Sequence, residues 1–235
     1  QNNYFGMIYY SFMLENGFGI EADHEKALKY IEFLIENCQA NIIYNFSELL
    51  MENANEFPNK EMNFVRYCKI AADASYSEAQ YKLGTLYYEG KYVVQNTNKS
   101  IHYLTLSSNQ NNSNAQYYLG KIYYECKLVK ININKSIYYL TLSANQGNLS
   151  AQYLLAKIYY ESEFVHNLSK SIHFLTLSSK NHCPQLAFLL GLFYSDNKNV
   201  KRDMNKAIQS YEIASNHKYS FALNNLGVIY KNGYN

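Results

Sequence analysis

Three stretches of this sequence are near copies of one another. AQYKLGTLYYEGKYVVQNTNKSIHYLTLSSNQ begins at Ala79, AQYYLGKIYYECKLVKININKSIYYLTLSANQ at Ala115, and AQYLLAKIYYESEFVHNLSKSIHFLTLSSKN at Ala151. Leu83, Leu119 and Leu155 stand 36 residues apart, and Leu190 and Leu226 follow after 35 and 36. A fixed period of this length marks a repeat architecture. Each unit is one supersecondary element that cannot bury its apolar face alone, so neighbours must stack. The residue missing from the fifth unit lies between Tyr159 and Lys170. Backward, Leu14, Gly17, Gly19, Lys26, Ala27 and Tyr30 mark a first unit, and Phe46, Leu50, Tyr67, Ala71 and Ala72 a degenerate second. The units run 3–38, 39–75, 76–111, 112–147, 148–182 and 183–218, with a half unit at 219–235, and are expected to form a single solenoid over 1–235.

Each unit reads as two helices. Ala79, Leu83, Leu86 and Tyr87 fall at i, i+4, i+7 and i+8, one face of a 3.6-residue helix. A loop around Gly90 to Gln95 follows, and Ser100, Tyr103, Leu104 and Ser107 set out a second helix. Asp23, Asn96, Asn132, Asn167 and Asp203 each stand three residues before a lysine (Lys26, Lys99, Lys135, Lys170, Lys206). Asp or Asn at that place accepts the orphan N–H groups of a helix's first turn. Ala79, Gly84 and Ser100 are small enough for backbones to approach closely. The pattern predicts an all-helical chain of thirteen helices. In the half unit, Leu223, Leu226, Ile229 and Tyr230 are assigned to core phases with no second helix to cover them. The start at Gln1 and this open end are read as belonging to a longer chain.

The pattern A-x-x-x-L-G-x-x-Y-x-x-G, a loop, then D-x-x-K-A-x-x-Y-x-x-x-A-A is matched by Ala79, Leu83, Gly84, Tyr87, Gly90, Asn96, Lys99, Ser100 and Tyr103. It returns at Leu190, Gly191, Tyr194, Asp203, Lys206, Ala207 and Tyr211. On these residues the chain resembles the Sel1-like repeat family, cousins of the tetratricopeptide repeats, over nearly its whole length and least in 39–75. Ser for the Ala after the Lys, Ala156 for Gly, and Cys126 and Ser162 for the loop Gly suggest tolerant positions. The resemblance implies a right-handed all-α solenoid, an α/α superhelix, serving as adaptor or scaffold for protein complexes. It implies no catalysis.

Composition narrows the classes further. Charged residues are only 17% of the chain, and polarity comes instead from thirty Asn. The 48% hydrophobic content is enough for a core, yet no apolar run approaches the ~20 residues of a membrane span. The net charge of +2 conceals an asymmetry: −7 over residues 1–63 and +9 over 64–235. The acidic start could meet the basic body of another copy, head to tail. Cys38, Cys68, Cys126 and Cys183 form no CxxC pair, which excludes a zinc ribbon and reads as reduced thiols in the cytoplasm. The six Asn-x-Ser sequons are what an Asn-rich and Ser-rich chain produces by chance. No signal-peptide pattern is present.

Catalytic and cofactor motifs are missing from the sequence: there is no HExxH, GxSxG or P-loop string. Gly17-Phe18-Gly19 has no strand before it and is a loop within a unit. His102 and His173 share a repeat position with Lys29, Tyr138 and Gln209, so that position is variable and solvent-facing, not a ligand position. His182 and His217 lie in inter-unit turns. No metal, cofactor or membrane insertion is expected.

The tyrosines are more informative. Counted from the Gly of each first helix, the core takes phases −5, −1, +2 and +3. Phases −3, +1, +4 and +5 face elsewhere, and in a tetratricopeptide-like superhelix that face is the concave groove. They hold Tyr81, Thr85, Tyr88 and Glu89; Tyr117, Lys121, Tyr124 and Glu125; Tyr153, Lys157, Tyr160 and Glu161; then Phe188, Leu192, Ser195 and Asp196. An aromatic ladder with an acidic row and two lysines suits interface anchors. The rings also fit a plainer role, covering inter-helix seams. The leading functional reading is a protein-interaction scaffold whose groove holds a partner segment, or a structural subunit of a large assembly. One alternative is the targeting arm of an enzyme, a kinase or ubiquitin-ligase complex, with its catalytic domain elsewhere. Nucleic acid fits less well, because the Glu89, Glu125 and Glu161 row would repel phosphate.

Overall fold

The computed structural model describes residues 3–37, 39–52, 59–125, 131–161, 167–179, 184–195 and 203–233. Their regular structure is helical: α1 (Tyr4–Asn16), α2 (His24–Glu36), α3 (Ala40–Glu52), α4 (Lys60–Asp73), α5 (Ser77–Glu89), α6 (Thr97–Asn109), α7 (Ser113–Glu125), α8 (Ile133–Asn145), α9 (Leu149–Glu161), α10 (Leu168–Ser179), α11 (Pro184–Ser195), α12 (Met204–Asn216) and α13 (Ser220–Lys231). The thirteen expected helices are present. The chain divides into two compact units, Gln1–Leu119 and Gly120–Asn235.

The second helix of a repeat starts where the sequence sets its cap. Side-chain oxygens of Asp23, Asn96, Asn132, Asn167 and Asp203 accept from the backbone N–H of Lys26, Lys99, Lys135, Lys170 and Lys206 at 2.9–3.1 Å. The backbone N–H of each cap residue also donates to the end of the first helix, to Leu14, Tyr87, Tyr123, Tyr159 and Tyr194 O, at 2.9 Å in every case. That second bond survives the shortened fifth loop. The capping lysine has a further use. Its Nζ lies 5.1–5.3 Å over the ring of Tyr87, Tyr123, Tyr159 or Tyr194. In three repeats that ring stacks nearly parallel on one from the second helix: Tyr87 on Tyr103, Tyr123 on Tyr139, and Tyr159 on Phe174, at 6.0–6.2 Å. Those three repeats are thus fastened by a column of lysine, ring and ring.

Close approach explains the glycine of the pattern. A Cβ on Gly84 would lie 2.7 Å from Leu104 Cγ, one on Gly120 2.4 Å from Leu140 Cγ, and one on Gly191 2.5 Å from Tyr211 Cε1. The position tolerates Ala156 but not a side chain everywhere, so the substitution in the fifth unit is a local allowance. Within each compact unit, successive repeats are joined by buried amides. Gln80 and Gln152 Nε2 donate to Ala72 and Ala144 O at 3.0 and 3.1 Å, and Gln116 Nε2 donates to Ser108 O at 3.5 Å.

In unit 1, α1 packs on α2 and α3, α3 on α4, α4 on α5, and α5 on α6. The degenerate second repeat is held by aromatics: Phe46 lies 5.6 Å from Phe12 and 5.2 Å from Tyr67, all three fully buried. Tyr67 donates its hydroxyl to Glu15, which also pairs with Arg66. In unit 2, α8 through α13 each pack on the next. The half unit departs from expectation. Ala222, Leu226 and Ile229 are buried, whereas Leu223 and Tyr230 are 55% and 44% exposed. Tyr230 holds the phase of Tyr87, Tyr123 and Tyr159 without a second-helix ring to stack on. Leu223 holds the phase of the buried glutamines and lacks their amide.

Candidate protein-binding cleft

The faces of α3 and α5 in unit 1, with Tyr118 of α7, Phe64 of α4 and the loop after α5, enclose a cleft of about 310 Å³. Its walls are Glu48, Met51, Phe64, Tyr81, Lys82, Glu89, Lys91, Tyr92 and Tyr118, over a floor of Thr85 and Leu86. Tyr81 and Tyr88 come from the predicted ladder, and both set their rings edge-on to Tyr118, at 5.8 and 6.0 Å. Tyr117 meets the same ring at 5.5 Å. Tyr118 was in no predicted set, yet it is the ring that gathers three predicted tyrosines. Thr85 is buried and donates its hydroxyl to Lys82 O at 2.7 Å, so it forms floor rather than contact surface. Glu89 stands exposed beside the cleft.

The charges here are ordered. Lys82 Nζ lies 3.1 Å from Glu48 Oε1 and 5.5 Å from the centroid of Phe64. Tyr44 donates its hydroxyl to the same Glu48 oxygen at 2.7 Å. Lys91 Nζ lies 5.1 Å from the centroid of Tyr92. Burial pushes the Tyr81 hydroxyl up to about 12, with Tyr118 and Glu78 adding to it. Burial first, then the bond to Glu48, drives Tyr44 well above the usual phenol range. Burial, and after it Glu89, raises Tyr118. These hydroxyls are therefore harder to ionise than a free phenol.

Sequence reasoning missed Glu48, Phe64, Lys82, Lys91, Tyr92 and Tyr118. A signal existed for one of them. Tyr44, Glu48, Met51 and Glu52 occupy phases −3, +1, +4 and +5 of the degenerate second unit, so extending the ladder backward reaches Glu48. The others belong to phases that are core or solvent in an ideal repeat.

The remaining ladder residues lie in unit 2 or at its start. Lys121 and Tyr124 are half-buried on α7, and Glu125 is exposed. Tyr153 is 42% exposed on α9, while Lys157 and Tyr160 are half-buried, the Tyr160 ring 4.5 Å from Phe193. The Glu161 side chain and Asp196 lie outside the described residues. Phe188 does not stand as a free anchor. It sits among Tyr211, Tyr219 and Phe221 at 5.2–6.2 Å, packing α11 to α12 and α13. Among the described residues, no group of three His, Cys, Asp or Glu could hold a metal ion, and no helix is long and apolar enough to cross a membrane.

The Sel1 repeat model matches residues 5–35, 77–112, 113–148, 149–182, 184–219 and 220–235, and passes over the degenerate second unit. Among solved structures, a Sel1 repeat protein from Oxalobacter formigenes is 22% identical, with a TM-score of 0.69 over 97% of this chain and 66% of that one. A protective antigen of uropathogenic Escherichia coli displaying an SLR fold is 19% identical, with a TM-score of 0.50 over 99% of this chain and 57% of that one. An immunity protein from Pseudomonas aeruginosa is 13% identical, with a TM-score of 0.50 over 94% and 83%. The chain thus spans just under two thirds of the first of these and over half of the second. No curated protein matches the sequence. The likenesses show the fold class, an all-α helical-repeat solenoid.

Proposed function

The chain belongs to the Sel1 repeat family, and from that premise we propose that it is a non-catalytic protein–protein interaction scaffold that holds a segment of a partner on its first-helix face. Sel1 repeat proteins are generally scaffolds of this kind. The observation that carries the reading is the unit 1 cleft, where aromatic rings, carboxylates and ammonium groups converge on that face. Tyr81, Tyr88 and Tyr117 present large, stiff, amphipathic side chains whose contact area requires little ordering on binding. The other candidate contact residues are Glu89 in unit 1 and, taken separately, Lys121, Tyr124, Glu125, Tyr153, Lys157, Tyr160 and Glu161 in unit 2. Residence in the cytoplasm is part of the proposal. It rests on the scattered cysteines and on Cys68, a buried free thiol that burial pushes up to about 12.

Peptide segments selected by display against the intact chain provide the test. Replacing Tyr117 and Tyr153 with Ala should weaken the selected segments by roughly 2–4 kcal/mol in total if both are anchors. Leu119→Ala, in the core, should instead lower stability by roughly 2–5 kcal/mol. Tyrosine variants that lose as much stability as Leu119→Ala while binding unchanged would make the rings packing and move the site to another face.

A further inference from the structure

The unit 1 cleft has a more specific chemistry than a scaffold face requires. Resting on the scaffold reading above, we propose that this cleft is the seat of a single arginine side chain of the partner segment, lying on the Tyr81 ring with Tyr118 beside it and paired with Glu89 and Glu48.

Four observations converge on a cation. The cleft already holds cations on its aromatic faces, Lys82 over Phe64 and Lys91 over Tyr92. Tyr81 and Tyr118, whose rings meet at 5.8 Å, carry no such cation among the described residues. Glu89 is exposed beside them and forms no ion pair among the described residues. Unit 1 as a whole holds thirteen acids and eight bases, a net −5, so its field draws in cations and disfavours anions. The size argues for one side chain. A volume of about 310 Å³ is at the small end of ligand-holding clefts, too little for a dinucleotide or a haem.

Arginine fits better than lysine. Its planar guanidinium can lie on a tyrosine ring and pair with a carboxylate through two N–H groups, while an ammonium acts as a point charge. Lys82 is the resident competitor. It holds Glu48 at 3.1 Å, so an arriving guanidinium must share or take that carboxylate. Removing the Lys82 charge should therefore favour the ligand, whereas an anionic ligand would be harmed by the same change. That opposite sign makes Lys82 the diagnostic residue.

The test is an NMR titration of the intact chain, following its tyrosine ring signals. The probes are the acetylated, amidated pentapeptide Gly-Gly-Arg-Gly-Gly and its citrulline and glutamate counterparts. The arginine peptide should shift Tyr81 and Tyr118 saturably, and less so as salt is raised. Citrulline, which keeps the shape without the charge, should bind at least about tenfold more weakly, and the glutamate peptide weaker still. Glu89→Gln should weaken the arginine peptide several-fold, and Lys82→Gln should tighten it several-fold, both with melting curves close to wild type. Citrulline or glutamate binding as well as arginine, weaker binding in Lys82→Gln, or arginine-induced shifts that bypass Tyr81 and Tyr118 would each overturn the proposal. Displayed segments that bind the tyrosine face without any arginine would also overturn it, and would leave the scaffold reading standing.

Discussion

Ser100 and Ser136 hold the same repeat position, both fully buried, yet their hydroxyls differ. Ser136 Oγ donates to Gly120 O at 2.8 Å, and Ser171 Oγ does the same to Ala156 O. Ser100 Oγ finds no partner among the described residues. A buried hydroxyl without a hydrogen bond costs about 1–3 kcal/mol. Ser100→Ala should therefore raise stability by about 1 kcal/mol, while Ser136→Ala lowers it by about 1 kcal/mol; urea melts of both variants check the pair. Ala27 and Ala207 already occupy this position and are buried there. A second residue-level prediction concerns the inter-unit turns, where Ser75, Asn111, Gly147 and Lys218 all adopt positive φ. A Cβ on Gly147 would meet nothing within 4 Å, so Gly147→Ala isolates backbone strain. It should cost about 1 kcal/mol by thermal melt. The small residues of the second helix were legible in the sequence as sites of close approach. Whether a given hydroxyl finds its carbonyl was not, because that depends on sub-ångström placement of two helices.

The helices themselves were written in the sequence. Period, apolar phase and Asx caps together predicted the helix count, and the caps bond as expected. The lysine of the cap motif was read only as a landmark, and the structure shows it covering a tyrosine ring. The interval from Tyr87 to Lys99 recurs from Tyr123 to Lys135, but spacing alone does not show that the two side chains meet, because the loop between them sets the meeting. Tyr118 was missed for a related reason: a ladder counted by phase assumes ideal repeats, and the degenerate second unit leaves room beside α5 that Tyr118 helps to wall. Phe188, an apolar ring at a groove phase, also packs among the rings of α12 and α13, which phase counting does not reveal. One prediction belongs to the cap. Asp203 is held below the usual carboxylate range, first by the backbone N–H of Lys206 and then by its side chain. Its folded pKa is depressed, so the stability it adds is present above the unfolded pKa and is lost as pH falls through the lower, folded one. Asp203→Asn keeps an acceptor at the cap but cannot titrate. Its unfolding free energy should change less than wild type between pH 5 and the acid limb below about pH 4. An unchanged slope would show that the cap carboxylate is uncoupled from folding.

Across the whole chain, charge is partitioned between the two compact units. Unit 1 is at −5, and unit 2, with six acids and thirteen bases, is at +7. A chain with a net charge of only +2 has little overall repulsion to keep copies apart, and here each copy offers a surface of either sign. The acidic unit of one copy can therefore meet the basic unit of the next. Such a contact is heterologous, because different surfaces meet, and it closes into a ring or grows as an open chain according to its rotation. The arginine site proposed in unit 1 draws on the same negative field, so a basic partner and a second copy would compete for it. Sedimentation velocity at low salt should show species larger than the monomer, with the weight-average falling toward monomer as salt shortens the range of the attraction. Replacing two exposed acids of the first unit, Glu25→Gln and Glu32→Gln, should lower association at low salt without altering the helix content. Both lie on the solvent-facing side of α2. A monomer at both salt concentrations would remove head-to-tail assembly and leave the charge division to the steering of a basic partner alone.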